Sequence, residues 1–138
     1  MKKVVGSLYT NKHTVVFHEN PEDMYYGAPH HFAVLDSAGS TYSTDQKDIE
    51  IGDIDTNDIE VLAVINFQQG PVNEVGVNGV FDPDVIAMVL ERMKAFQAGR
   101  FKCKENEIVI QKLEEALMYL RKRTDDRAAR GVLGTTNT

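Results

Sequence analysis

Three arginines near the carboxyl end of the chain have a spacing that suits the binding of an anion. At about 100° per helical residue, the apolar face formed by residues 109–124 continues into Arg127, and Arg123 and Arg130 lie at its edge. Guanidinium groups that follow a packed face need a negative partner when they are enclosed, because an unpaired buried charge is costly. The sequence therefore predicts that these arginines hold a carboxylate or a phosphate.

Two kinds of partner stay open at this point. Glu114 or Asp126 would serve as an internal carboxylate, a second subunit would supply another, and a ligand phosphate would fit the planar guanidinium fork. Residues 119–131 hold five basic and two acidic side chains, in a protein whose formal charge is −6. A small positive region on an acidic protein suits a small anion better than DNA or RNA, which need a broad basic face.

Composition indicates an ordinary globular protein of 138 residues, with 42% hydrophobic and 26% charged side chains. No apolar run approaches the ~20 residues that a membrane span needs, and the amino terminus lacks the apolar segment of a signal peptide. The single cysteine, Cys103, indicates a reducing cytoplasm, and four histidines with one cysteine leave little for a metal site. Residues 1–66 carry 4 basic and 11 acidic side chains, whereas residues 67–138 carry 11 and 10.

This asymmetry coincides with a change of pattern from strands to helices. The first half favours strands at residues 4–10, 13–18, 31–36 and 59–67, with a two-residue turn at Asn11 and Lys12. We therefore predict an α+β fold. Residues 1–66 form a small antiparallel sheet, and residues 67–138 form a two-helix hairpin that binds the ligand.

The hairpin has recognisable limits in the sequence. Asp82 is a helix N-cap candidate before Pro83, and Gly99 is a natural stop. The apolar face of this first helix is predicted to hold Val85, Met88, Val89, Arg92, Met93 and Phe96. The second helix is predicted from residues 104–106 to about residue 127. Segments 68–71 and 77–80 are turn-rich, and the small polar tail, residues 131–138, is expected to order against a partner.

An aromatic side chain completes the set of candidate ligand groups. Phe96 at the end of the first helix is either a core residue or a platform for a purine base, since bases stack on aromatic rings. Residues 131–135 are either a flexible tail or a loop whose backbone N–H groups hold phosphate.

Four segments of the second half form a more specific set. They read FQQGPVNEVGVNG at 67–79, FQAGRFKCKEN at 96–106, LEEAL at 113–117 and RTDDRAARGVLGT at 123–135. Together they resemble the Thoeris anti-defence sponges of phages, which share this hairpin with the shorter anti-CBASS sponges. The resemblance covers about residues 64–138, and a sheet before the hairpin is typical of the Thoeris branch.

The resemblance implies a phage protein that withholds an immune second messenger from its effector without degrading it. For the Thoeris branch this messenger is a glycocyclic ADP-ribose, and some members also bind cyclic di- or trinucleotides. Such proteins assemble from dimers, in some cases into hexamers, with pockets between subunits. We therefore expect a homo-oligomer in the host cytoplasm that is not an enzyme and needs no cofactor or metal.

The resemblance also implies roles for individual residues. Phe96 would stack on adenine, and Arg123 would sandwich the base or pair with phosphate. Asn106 would hydrogen-bond to the ligand, and Arg127 would support the pyrophosphate, with Thr124 in the same site. A second site for cyclic nucleotides is implied at Asn78, Gly79, Arg130, Gly134 and Thr135.

Two other functions remain as alternatives. An enzyme that degrades the messenger would need a general base, for which His18, His30 and His31 are the candidates. An oligomeric interaction module without a nucleotide ligand would use Arg123 and Arg127 in salt bridges between subunits.

Overall fold

The computed structural model describes residues 2–3, 13–36 and 60–136. The chain divides into two compact units, residues 1–69 and 70–138. The first unit contains an antiparallel sheet and the second contains the helices, which confirms the predicted α+β class with a carboxyl-terminal helical hairpin. The assignment of ligand binding to residues 67–138 stays a prediction.

The sheet has four strands in the order β1-β2-β3-β4, and all neighbours are antiparallel. These strands are β1 (Lys2–Lys3), β2 (Thr14–His18), β3 (His31–Asp36) and β4 (Val61–Asn66). β3 has the predicted limits, and β2 and β4 are slightly shorter than predicted. The predicted strand at 4–10 and the turn at Asn11 and Lys12 lie outside the described residues.

One face of the sheet holds the core of the first unit. Phe17, Ala33 and Leu35 are buried, and Phe17 lies directly opposite Ala33 in the register of β2 and β3. Alternation along β3 puts Ala33 and Leu35 on the same face, as the period of two in a strand requires. The alternation of side chains along β3 therefore puts Ala33 and Leu35 together in the core.

Three helices follow the sheet, namely α1 (Val72–Val75), α2 (Asp82–Gln97) and α3 (Lys104–Ala129). α1 lies between the two segments that the sequence predicts to be turns, and it is a single turn long. The N-cap of α2 is Phe81 rather than the predicted Asp82. The reason is Asp84, whose carboxylate accepts the backbone N–H of Phe81 at 2.8 Å and so closes the first turn. α2 ends at Gln97, two residues before Gly99.

The predicted apolar face of α2 is only partly right. Leu90 is buried, whereas Met88 and Val89 are 61% and 45% exposed. α2 carries apolar side chains around more of its circumference than packing against α3 can cover. Met88 and Val89 on this helix therefore stay exposed within the described part of the second unit.

α3 matches its predicted limits closely and ends two residues later than expected. Its half-buried side chains recur at intervals of three or four residues up to Leu120, and the series resumes at Arg127. They are Asn106, Ile110, Leu113, Ala116, Leu117, Leu120 and Arg127. Among the described residues, no helix is long and apolar enough to span a membrane.

Candidate functional site

The end of α3 forms an open groove of about 310 Å³, here called the basic groove. It is lined by Tyr119, Lys122, Arg123, Asp126, Arg127 and Arg130. The only lining carboxylate, on Asp126, is paired with the Lys122 ammonium at 3.1 Å. The lining side chains therefore carry three positive charges in excess, and such a cluster favours the approach of an anion, because like charges that converge repel one another.

Arg127 is half-buried on the packed face, as the helical spacing predicts. Its Nη2 donates to the backbone oxygen of Val132 at 3.0 Å and to that of Thr135 at 3.1 Å. The two carboxylates considered as internal partners are paired with lysines instead, Asp126 with Lys122 and Glu114 with Lys94. Backbone carbonyls are a kind of partner that the charge pattern alone could not reveal.

Arg123 and Thr124 differ in how much of their hydrogen-bonding capacity remains. Arg123 is exposed, and within residues 60–136 it has neither an ion pair nor a hydrogen bond. The Thr124 hydroxyl donates to the backbone oxygen of Leu120 at 3.1 Å. Arg123 therefore offers its full donor fork to an anion, whereas Thr124 offers a phosphate a hydrogen only by giving up its bond to the helix.

The opposite end of the hairpin, here called the loop end, holds Phe96, Phe101 and Asn106. The two phenyl rings meet edge to face with centroids 6.2 Å apart. The Arg92 guanidinium carbon lies 4.9 Å from the Phe96 centroid, and that of Arg100 lies 4.7 Å from the Phe101 centroid. Each ring already stacks with a cation, so Phe96 is suited to a further planar group.

Asn106 sits at the start of α3 and fixes the loop. Its side-chain nitrogen donates to the Phe101 backbone oxygen at 3.1 Å. The Cys103 backbone N–H is similarly held by the Gln97 side-chain oxygen at 3.1 Å. Asn106 therefore keeps its amide oxygen for a ligand while its nitrogen shapes the loop.

A single chain does not bring the predicted ligand residues together. Asn106 and Arg123 are both on α3, and 17 residues at ~1.5 Å each separate them by roughly 25 Å along the helix. One compact nucleotide cannot touch both groups in the same chain. The structure thus divides the predicted first site into two halves, one at the loop end and one in the basic groove.

The residues predicted for a second site come from two segments of the second unit. Asn78 and Gly79 lie between α1 and α2, whereas Arg130, Gly134 and Thr135 follow the end of α3. Gly134 has a positive φ of 76°, and an added Cβ would lie 2.9 Å from the Asn73 side chain. Gly134 thus has a packing role that its type alone did not reveal.

The tail is held by its own chain, so the expectation that it orders against a partner is wrong for the described part. Residues 131 and 132 close α3 with N–H groups that return to Ala128 and Arg127 at 3.1 and 3.0 Å. The Asn73 backbone N–H donates to the Gly134 oxygen at 3.2 Å.

The three histidines considered as bases are bound to polar groups of the first unit. His18 Nδ1 lies 2.6 Å from the Glu19 backbone oxygen, and His30 Nε2 lies 2.6 Å from that of Tyr25. His31 lies between side-chain oxygens of Asn66 and Gln69, at 2.9 and 3.2 Å. Through these contacts His18 Nδ1, His30 Nε2 and both ring nitrogens of His31 join the sheet to its adjoining loops.

Sequence reasoning missed several residues of the two half-sites. Tyr119 lies one helical turn before Arg123, and Arg92 one turn before Phe96, so a search at spacing four finds both. Arg100 adjoins Phe101 directly. Asn73 is the hardest case, because it lies 60 residues from Leu133, to which its side chain donates a hydrogen bond.

Two comparisons with known proteins identify the family of the chain. Residues 59–125 match the family described as Acb2/Tad1, hairpin domain. The chain is also 44% identical over 144 aligned positions to Thoeris anti-defense 1 of Bacillus phage SBSphiJ7, with 98% of each chain covered. Identity at that level over nearly the whole length is decisive for family membership. The chain therefore belongs to the Thoeris anti-defence 1 family of phage anti-defence proteins and contains its hairpin domain.

Proposed function

We propose that this protein is a sponge that binds nucleotide second messengers of host immunity and keeps them from their effector. Glycocyclic ADP-ribose is the proposed main ligand, with cyclic di- or trinucleotides as further ligands, and the proposed place of action is the host cytoplasm. The name of the phage relative states that it acts against Thoeris. The basic groove supports the proposal from the chemical side, since it has the donors and charge that a pyrophosphate requires.

The observation that carries the proposal is the separation of the two half-sites. A ring at the loop end that can stack on a base is complementary to one part of a nucleotide, and the unused donors of Arg123 and Arg127 in the basic groove are complementary to the other. Since ~25 Å of helix lies between Asn106 and Arg123 in one chain, we propose that each pocket takes its loop end from one copy and its basic groove from another.

Exposed apolar side chains of the hairpin support such an assembly. Met88 on α2 and Met118 on α3 are 61% and 59% exposed, and Val77 before α2 is 71% exposed. Side chains of this size lose contact with water when two copies associate, which stabilises a dimer. A homo-oligomer built from dimers, including a hexamer, is therefore the proposed state.

Within such a pocket the residues divide the work by chemistry. Phe96 stacks on the purine, and the guanidinium of Arg123 from the other copy covers the opposite face of the base or binds a phosphate. Asn106 presents its amide oxygen to a ligand donor. Arg127, which lines the basic groove, lies near the pyrophosphate, and Thr124 beside Arg123 on α3 supplies a further hydroxyl to the ligand.

A second pocket is proposed for cyclic nucleotides around the tail. Arg130 supplies a charge beside backbone that Gly134 allows to approach closely, and Thr135 and Asn78 supply polar groups. Gly79 lets the chain pass near the ligand without a side chain.

Sequestration explains the function without catalysis. A sponge needs slow release rather than a nucleophile or base, and slow release follows from pockets enclosed between subunits. Three of the histidines that a degrading enzyme would need are engaged in the first unit. We therefore propose binding without turnover, with no cofactor or metal.

Calorimetry against a panel of glycocyclic ADP-ribose isomers and cyclic di- and trinucleotides tests the proposal. The bound ligand is then released by heat and analysed by chromatography. We expect tight binding and recovery of intact ligand. An altered product would instead establish a degrading enzyme, and binding to no member of the panel would leave an assembly or interaction module.

A further inference from the structure

The tail after α3 is fastened by two residues from different parts of the second unit. Arg127 Nη2 donates to the backbone oxygens of Val132 and Thr135, at 3.0 and 3.1 Å. Asn73 serves the two carbonyls between them, with its side-chain nitrogen on Leu133 and its backbone N–H on Gly134, both at 3.2 Å. All four successive carbonyls of residues 132–135 therefore accept a hydrogen bond. We call this arrangement the tail latch.

The latch is shaped for a close fit at its centre. Gly134 has φ +76°, and a Cβ there would lie 2.9 Å from three side-chain atoms of Asn73. A separation under 3.0 Å is one that real Cβ atoms essentially never show, so any larger residue at position 134 has to displace Asn73 or the tail. Gly134 and Asn73 thus match each other in shape as well as in hydrogen bonding.

The tail latch also determines which N–H groups of Arg127 are available to an anion. Both hydrogens on Nη2 are used by the tail, whereas Nε and Nη1 have no acceptor among the described residues. Arg127 lines the basic groove, so its Nε and Nη1 donors are available there. The plane of this guanidinium is fixed by the two bonds from Nη2 to the tail. A donor held in place loses less rotamer freedom when an anion binds.

From this geometry we propose that Asn73 is a positioning residue of the basic groove, which acts through the tail and Arg127. The inference rests on the proposed function, since the anion it concerns is the nucleotide pyrophosphate. Asn73 itself lines no part of the groove. Asn73 holds the carbonyls of Leu133 and Gly134 in place. The positions of these two residues fix those of Val132 and Thr135, their neighbours in the tail. The carbonyls of Val132 and Thr135 in turn hold the Arg127 guanidinium in its orientation.

The test is a thermodynamic cycle with Asn73→Ala and Arg127→Lys, measured on the full-length protein with glycocyclic ADP-ribose as the probe. We expect Asn73→Ala to weaken binding ~5-fold in the wild-type background, in line with the loss of one ordering hydrogen bond. In the Arg127→Lys background it should cost less than twofold, because the group through which it acts is gone. Equal losses in both backgrounds would overturn the positioning role, since a merely structural effect is the same in either.

Amide hydrogen exchange separates failure of the latch from failure of the proposed function. Asn73→Ala should speed exchange in residues 132–135 whether or not a nucleotide binds, and Glu74→Gln, one residue away and exposed, should leave it unchanged. Unchanged exchange in Asn73→Ala would overturn the latch. If exchange rises but the wild type binds no nucleotide, the latch stands, whereas the proposed function and the positioning role are overturned.

Gly134→Ala reaches the same contact from the tail. It should reproduce both effects, and its loss of affinity should shrink when combined with Asn73→Ala, which removes the clashing atoms. Additive losses would contradict the proposed fit. If Asn73→Ala does not fold, Gly134→Ala replaces it in the cycle with Arg127→Lys, and equal losses in both backgrounds would again overturn the positioning role.

Discussion

The two ends of the hairpin use arginine in different ways. At the loop end, Arg92 and Arg100 stack on phenyl rings at 4.9 and 4.7 Å from the ring centroids. In the basic groove, Arg123 has no acceptor among the described residues, and Arg127 has only two of its five N–H groups engaged there. The loop end therefore presents aromatic rings already paired with cations, whereas the basic groove has guanidinium donors with no acceptor among the described residues.

This difference is the reason that we propose a nucleotide pocket made from both ends rather than from either one. A purine binds poorly to a stacking platform alone, and a phosphate has no base specificity on a basic groove alone. The family to which the chain belongs acts against host defence, and a messenger with both a base and a pyrophosphate would need both ends. We therefore regard the comparison between them as the main guide to experiment.

The largest expected effect is at Arg123. Arg123→Ala removes a guanidinium that has no partner among the described residues, and we expect nucleotide affinity to fall ~100-fold, the scale of a charge-assisted hydrogen bond in an enclosed pocket. Calorimetry measures the loss. Arg121→Ala is the matched control, because Arg121 is on the same helix but pairs with Asp125 outside the groove. Equal losses of affinity in the two variants would show that the effect comes from the loss of one positive charge and not from a contact made by Arg123.

A smaller effect is expected at the loop end. Phe96→Ala should weaken binding by ~10- to 30-fold, because base stacking on an aromatic ring contributes about 1–3 kcal/mol. Phe96→Tyr retains the ring and should stay within threefold of the wild type. Loss of size in gel filtration alongside loss of binding would instead assign Phe96 to assembly.

The smallest effect is expected between the two ends, where Lys94 and Glu114 join α2 to α3 at 3.5 Å. Both side chains are about half exposed, at 45% and 52%, so the pair is screened by water. Glu114→Gln should lower the free energy of unfolding by less than ~0.5 kcal/mol, measured by urea denaturation. A loss of more than ~1.5 kcal/mol would show that the pair holds the hairpin together.

Much of the fold could be predicted from local patterns. β3 and α3 follow from apolar periodicity, and the burial of Arg127 follows from its angle on the helix. The packed face of α2 could not be chosen correctly, because Met88 and Val89 are as apolar as the residues that pack. Only tertiary packing decides between two apolar stripes on one helix.

The candidate site also depends on tertiary contacts that local sequence patterns do not reveal. Its residue types were visible in sequence, and the ~25 Å between Asn106 and Arg123 follows from helix geometry alone. The tail latch could not be predicted, because Asn73 and Leu133 are 60 residues apart and no local pattern links them. Contacts of that range depend on how the whole unit packs.

The most direct test of a pocket shared between two copies is a complementation experiment with two variants that each bind nucleotide poorly. Phe96→Ala and Arg123→Ala are each expected to bind nucleotide poorly, since each spoils one half of every pocket. When the two are mixed under conditions that exchange subunits, half of the dimers are mixed. Each mixed dimer regains one intact pocket, so roughly a quarter of the wild-type sites should return. Recovery of tight binding near that level is the predicted result. No recovery, with subunit exchange verified by native mass spectrometry, would contradict a pocket shared between two copies.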